Sequence, residues 1–383
     1  MNFIFNSLPQ FDRIEISAES KESDIADRVR KLYPKEIIFD LDSEKSESAS
    51  DRGRLTAFEF EKSKKQLLLT TFKGQFFKRC PGATQKKALT CCNYHVLNLG
   101  SQCNMNCSYC YLQSYLNTKQ TKIFTNIEVA LSELKIMADQ FPDHGFRVGT
   151  GEVIDSLSLD QVTLFSRKLI PFFNQYPKWN LEFKTKSNFV EQFLDLKTAG
   201  NTIVSWSVNP QYIINREEHG TASLSERLSA ARKCKDNGYQ VAFHIDPMIW
   251  HPEWKENYSE LATEIQSHFS AEGVNIISLG ALRIQPEQRH MMRERFGMKS
   301  LVTAAELFPS EGNKLRYDAS IRSEMFQFMI SQFKNNDPKW NIFLCMETPE
   351  TWIGSFEKVP MQMPELKSVF KPLPVIQTTT RNL

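Results

Sequence analysis

From residue 95 onward, short apolar runs alternate with amphipathic stretches. The runs cover 95–100, 146–151, 181–187, 203–208, 240–246 and 276–282. Runs of six or seven residues dominated by Val, Ile, Leu and Phe read as strands. Between them, helical periodicity appears near 125–139, 160–175, 189–199, 223–237 and 256–270. Gly200 and Gly238 stand where two of these helices should stop. A strand about every 22 to 50 residues with a helix between is the signature of βαβ units and a parallel sheet. Six such units predict an α/β fold. A complete eight-stranded barrel needs two more, and residues 283–383 do not supply them cleanly.

The flanks read differently. Residues 1–94 form an N-terminal α/β region. It holds a charged helix over Asp24–Lys35 stopped at Pro34, strands at 36–40 and 66–72, a polar loop at 42–54 and a turn-rich linker at 77–82. Residues 283–383 form a C-terminal extension, with a helix near 319–335, a strand at 340–346 and an irregular, proline-rich tail from Glu347. The chain thus divides into 1–94, 95–282 and 283–383.

The strand at 95–100 runs straight into Cys103, Cys107 and Cys110, spaced C-x3-C-x2-C. Three thiolates on one short loop can converge on a single centre, and soft thiolates favour iron–sulfur clusters or zinc. Zinc would need a fourth ligand, from His95, Cys91 or Cys92, and zinc sites usually draw their cysteines as two pairs. A four-iron cubane held by three cysteines instead leaves one iron open.

Composition narrows the setting. The net charge of +2 gives no global attraction to a polyanion, so a nucleic-acid site must be a local patch. Asp12, Glu15 and Glu19 are unlike a signal peptide. No apolar run reaches the 18 residues of a membrane span. Eight cysteines in 383 residues are too few for a disulfide scaffold, so a reducing cytoplasm is expected.

The cysteine spacing, with a strand before it and Tyr109 within it, resembles the radical S-adenosylmethionine superfamily. The resemblance implies a partial (β/α)6 TIM-type barrel, a [4Fe-4S] cluster and S-adenosyl-L-methionine as cofactors, cleavage to a 5′-deoxyadenosyl radical, and a reducing partner such as flavodoxin or ferredoxin. Gly149-Thr150-Gly151-Glu152 then resembles the superfamily's glycine-glycine-glutamate element, with Gly151 and Glu152 at the cofactor's ammonium.

Other strand ends offer further groups. Lys186 can meet a carboxylate, with Lys184 the weaker candidate. Ser205, Ser207 and Asn209 alternate on one face of a strand. His244 reads as a core histidine. Arg283, Arg289, Arg293, Arg295 and Lys299 outnumber Glu287 and Glu294, and Lys314-Leu315-Arg316-Tyr317 follows. This makes either a cationic rim suited to phosphates or a salt-bridged surface.

A closer likeness is carried by Phe77-Lys78-Arg79-Cys80-Pro81-Gly82, Cys91-Cys92-Asn93-Tyr94, the cysteine loop continuing Tyr111-Leu112-Gln113, Ser207-Val208-Asn209, Tyr212-Ile213-Ile214-Asn215, and Gly220 through Ala231. These resemble the spore photoproduct lyase family over most of residues 77–320. That family repairs a thymine–thymine crosslink in DNA by radical chemistry, and a cysteine thiol returns a hydrogen atom. The resemblance implies Cys103, Cys107 and Cys110 on the cluster and Tyr109, Lys186 and Ser207 at the cofactor. It puts Tyr111 near the substrate radical and Arg316 with Tyr317 against DNA. The family's donor cysteine lies three residues before an aspartate. Here Asp155 matches the aspartate, the third residue before it is Glu152, and no cysteine lies between Cys110 and Cys234. The alternative is the same radical chemistry on a peptide or small molecule. Cys80, Cys91 and Cys92 are expected to pack rather than ligate.

Overall fold

The computed structural model describes residues 8–42, 55–80, 89–90 and 92–370. Cys91, Pro81-Gly82, nearly all of the polar loop and the end of the tail lie outside the described residues.

The six expected strands form and join one eight-stranded sheet. Its members are β1 (Phe77–Arg79), β2 (His95–Leu97), β3 (Arg147–Gly149), β4 (Asn180–Thr185), β5 (Thr202–Ser207), β6 (Gln240–Met248), β7 (Ile277–Ala281) and β8 (Ile342–Leu344). They lie side by side in chain order. Every pair from β2 to β8 is parallel, and β1 adds antiparallel to β2. The expected strand at 340–346 therefore enters this sheet beside β7. Because all these strands run one way, their C-terminal ends share one edge, and the loops leaving that edge build the site.

The sheet curls. The Arg147 guanidinium on β3 lies 5.9 Å from the Phe343 ring on β8 and 5.4 Å from the Tyr94 ring. Four strands separate β3 from β8, so a flat sheet would hold them about 24 Å apart at ~4.8 Å per strand.

Helices cover the connections where propensity and capping agree. The segment Leu224–Asp236 starts at a Ser223–Glu226 capping box, and Trp254–His268 buries Trp254, Tyr258, Leu261, Ala262 and Ile265 on one face. The expected helix at 189–199 does not form. Its backbone bonds run three residues back, Phe193 to Val190 and Leu196 to Phe193, and Gln192 turns inward to Asp160 at 3.0 Å. Burying Val190 and Phe193 decides that segment, over its helical period. The expected helix at 160–175 breaks at Leu164, whose φ is +49°. The tail from Glu347, expected to be irregular, begins with a helix over Pro349–Phe356, capped by Thr348, that buries Trp352.

A second sheet orders Ile38–Asp40, Arg13–Ile16, Gln66–Thr70, Thr121–Phe124 and Gly100–Ser101. Its last two strands come from beyond residue 94. An unexpected helix, Ala57–Ser63, begins at a Thr56–Glu59 capping box and leads into Gln66–Thr70. Among the described residues, no helix is long and apolar enough to cross a membrane.

Candidate active site

The cysteine loop leaves β2 at the shared strand edge and is tied down on three sides. Lys64, just after the Ala57–Ser63 helix, donates its ammonium to the carbonyls of Cys103 (2.9 Å) and Met105 (2.6 Å), and Gln102 donates to Ser63 Oγ at 2.9 Å. Asn106–Cys107 pairs antiparallel with Glu218–His219. The Ser108 N–H donates to the Glu217 carbonyl at 2.8 Å, and Gln288 donates to the Tyr109 carbonyl at 2.9 Å.

Burial pushes the Cys103 thiol up to about 11, and Cys107 higher still. Cys103 also feels Cys110, and Cys107 feels both Cys103 and Cys110, which as thiolates would repel it. The loop therefore brings its three cysteines within electrostatic reach of one another. A bound metal centre supplies the charge that makes such thiols thiolates. Among the described residues, no three His, Cys, Asp or Glu side chains close around a point as a single metal ion needs. Two sulfurs on one zinc stand about 3.8 Å apart, whereas a cubane spreads its thiolates over separate irons. His95, a possible fourth zinc ligand, is turned away. It stacks on Phe77 at 5.0 Å and meets the Phe146 ring at 4.9 Å, where burial drops it to about 4. Cys80 and Cys92 neighbour Tyr94.

Glu152 follows β3 on a loop that the structure holds closely. A side chain on Gly151 would come within 2.8 Å of Ser156 Oγ and 2.9 Å of the Lys184 carbonyl, so only glycine fits there. Asp155 anchors the loop. It accepts from the Leu157 and Ser158 N–H groups at 3.0 and 2.9 Å, from the Thr185 hydroxyl at 2.6 Å and from the Lys186 N–H at 2.8 Å. Glu152 is half-buried, and among the described residues its Oε2 has no hydrogen-bond partner. Burial raises its carboxyl while Lys78 opposes the shift. A buried carboxylate oxygen without a donor is costly in the bare protein and suits a cationic ligand group. Tyr111 donates its phenol to the Glu152 carbonyl at 2.6 Å.

A second group forms beside it. Lys186 donates to Ser207 Oγ at 2.8 Å and lies 5.6 Å from the Tyr109 ring. The Tyr109 phenol donates to Glu218, which is also held by Asn209 at 2.9 Å and by the Arg227 guanidinium at 2.7 Å. Burial alone would raise the Glu218 carboxyl, but Arg227 and Lys186 bring it to about 2. Tyr109, Gly151, Glu152, Lys186 and Ser207 thus border the cysteine loop together, and Tyr111 sits between the loop and Glu152.

Two expected site residues lie elsewhere. Arg316 is fully buried, bonded to the Met346 carbonyl at 3.0 Å and Glu347 at 3.4 Å, and Tyr317 accepts the Trp250 N–H at 3.1 Å. Neither faces a duplex directly, because burial and ion pairing outweigh solvation of the guanidinium. Arg316 Nε and Nη2 remain without partners. The cationic rim is also partly internal. Arg283 forms a two-pronged pair with Asp246 at 2.9 Å, and Arg289 donates to the Ala305 carbonyl at 2.6 Å. His244 is a core residue, its Nε2 2.9 Å from Glu182, and burial lowers it to about 4.

With the site in view, comparison with known proteins places the chain. The spore photoproduct lyase family model matches residues 52–306. The chain belongs to the spore photoproduct lyase family. It is 32% identical over 186 residues to spore photoproduct lyase of Geobacillus sp. and 30% identical over 175 residues to that of Bacillus subtilis. These matches span 48% and 45% of this chain and 54% and 51% of the relatives, so the chain spans about half the length of the curated relatives it matches. Solved structures extend the likeness of fold. A spore photoproduct lyase complexed with dinucleoside spore photoproduct superposes with a TM-score of 0.75 at 21% identity, covering 88% of this chain and 100% of that one. A mutant with bound AdoMet and dinucleoside spore photoproduct gives 0.74 at 21%, covering 89% and 100%. The mixed α/β fold with parallel strands is that of the spore photoproduct lyase structures.

Lys64, Glu217, Glu218 and Arg227 were not among the expected site residues. Nothing marks Lys64 in the run Glu59-Phe60-Glu61-Lys62-Ser63-Lys64-Lys65. The only hint of Glu218 was Asn209, on the strand face already singled out.

Proposed function

We propose that this chain is a radical S-adenosylmethionine enzyme of the spore photoproduct lyase type, acting on a thymine lesion in DNA. Cys103, Cys107 and Cys110 would hold a [4Fe-4S] cluster, and the donor set fits: three buried or half-buried thiols on one loop. When bound, the cluster supplies one electron for reductive cleavage of S-adenosylmethionine. The curl of β2–β8 supports a partial barrel with its site at the C-terminal strand ends.

The observation that carries this reading is the partnerless Oε2 of Glu152 beside the cysteine loop. Glu152 receives the cofactor's ammonium by a charge-assisted hydrogen bond. Lys186 and Ser207 offer one donor and one hydroxyl to the cofactor's carboxylate and ribose, and the Tyr109 ring lies against it. Gly151 lets the backbone approach closely. Tyr111 stands between cofactor and substrate. Arg316 has two nitrogens, Nε and Nη2, left for an anionic part of the lesion that reaches inward. The family resemblance and the relatives' names support DNA as substrate, and a small redox protein is the expected electron donor.

A second reading has its own observation. Glu152 occupies the place of the family's donor cysteine, and a carboxyl O–H is a poor hydrogen-atom donor. The same chemistry on a peptide or small molecule would need no thiol there. Anaerobic, reduced enzyme with S-adenosylmethionine and irradiated DNA separates the two. On the first reading the lesion stimulates cofactor cleavage, and thymine forms with more side product than added thiol allows, because the donor is not pre-positioned. No stimulation by the lesion would overturn it in favour of the second.

A further inference from the structure

Lys64 is buried, and its ammonium bonds only to backbone carbonyls of the cysteine loop. Among the described residues, Lys64 forms no ion pair with a carboxylate. A buried ammonium without a counter-charge is expensive. The same loop is held on its other side by Arg295, which donates to Gln113 Oε1 at 2.8 Å and to Asn106 Oδ1. Both cations share the Phe60 ring. Lys64 Nζ and the Arg295 guanidinium carbon each lie 4.8 Å from its centroid. The Lys64 charge reaches Cys103, and Arg295 faces Cys107 and Cys110, with Glu61 as its acidic neighbour.

We propose that Lys64 and Arg295 form a cationic clamp that fixes the cysteine loop and raises the reduction potential of the group its thiolates hold. The inference rests on the cluster assignment above. A [4Fe-4S]2+ core on three thiolates carries one net negative charge, and reduction adds a second. A fixed positive charge beside it favours the reduced form more, and burial leaves the interaction poorly screened. The clamp also explains the uncompensated lysine, since the bound anionic group is its missing counter-charge. Lys64 is a positioning residue, because it touches the loop carbonyls rather than the cluster.

The test uses the full chain, anaerobically reconstituted, with the cluster's reduction followed by electron paramagnetic resonance at set potentials. Hydrogen exchange of residues 103–107 is measured in the metal-free protein. Lys64→Met should keep its iron but lose about tenfold in the reduction equilibrium, which is about 59 mV for one electron. Lys64→Arg should recover most of the loss, and Arg295→Met should shift the potential in the same direction. In the metal-free protein, Lys64→Met should speed exchange of the loop about tenfold. Wild-type potentials in both Met variants, or unchanged loop exchange, would overturn the clamp. If Lys64→Met takes up no iron, Lys64→Arg and Arg295→Met still report the potential. If the wild-type chain takes up no cluster, the functional reading fails, and loop exchange alone still decides whether Lys64 holds the loop.

Discussion

Two buried polar systems sit on the same sheet, one closed and one open. In the closed one, Glu182 on β4 accepts from Arg147 at 2.6 Å, Ser205 at 2.9 Å and His244 at 2.9 Å, and every oxygen is used. Burial would raise its carboxyl, but Arg147 and His244 outweigh that and hold it well below the usual range. In the open one, at the C-terminal strand ends, Glu152 Oε2 and Asn104 Oδ1 are buried without partners, and three thiols sit beside a buried lysine. The contrast separates scaffold from site. A carboxylate whose oxygens are all used helps specify the fold, whereas orphaned groups beside the cysteine loop suit the proposed ligand.

The sharpest way to break the comparison is to open the closed network. Glu182→Ala leaves the Arg147 charge buried and unpaired and should destabilise the chain by about 3–5 kcal/mol. Denaturant unfolding of the metal-free protein measures it, and a loss below ~1 kcal/mol would deny that the network holds the fold.

The histidines give the next effect. His95 and His244 are each lowered to about 4 in the fold, from 6.5. A lowered folded pKa means the unfolded chain binds more protons, so stability is complete above pH 6.5 and falls as pH drops toward 4. The linkage amounts to about 3 kcal/mol per histidine. Glu218, at about 2 against 4.5, adds a further loss between pH 4.5 and 2. His244→Gln should flatten the upper part of the curve, measured by denaturation across pH.

The open system should respond the other way. Among the described residues Oε2 of Glu152 has no hydrogen-bond partner, and only the charge of Lys78 opposes its burial, so Glu152→Gln should leave metal-free stability unchanged or slightly higher. Affinity for S-adenosylmethionine in the reconstituted protein should fall by about 1.5–3 kcal/mol, the range of a hydrogen bond to a charged group. Unchanged affinity in a calorimetric titration would remove Glu152 from the cofactor.

The same contrast marks what could be seen in the sequence. The six strands after residue 95 were legible because runs buried on both faces must be apolar. That Glu152, Lys186 and Ser207 lie near the cysteine loop was legible because short spacings and strand ends place them locally. The network around Glu182 was not, since Arg147, Glu182 and His244 lie on three strands whose pairing no local pattern encodes. Lys64 was missed for the same reason: its partners are about forty residues away in the chain. The turns at 189–199 show tertiary burial overriding a helical period, and the buried Arg316 shows a motif position whose surroundings the motif does not specify.

On the proposed function, the open system holds a cluster on three cysteines. The most direct test is iron and labile sulfide per chain after anaerobic reconstitution, for the wild type and for the triple change of Cys103, Cys107 and Cys110 to Ala. The account predicts about four of each in the wild type, a brown chromophore, and near-complete loss of all three in the triple variant with its fold retained. A wild-type chain that takes up a single zinc and no sulfide, or a triple variant that keeps full iron and sulfide, would contradict it.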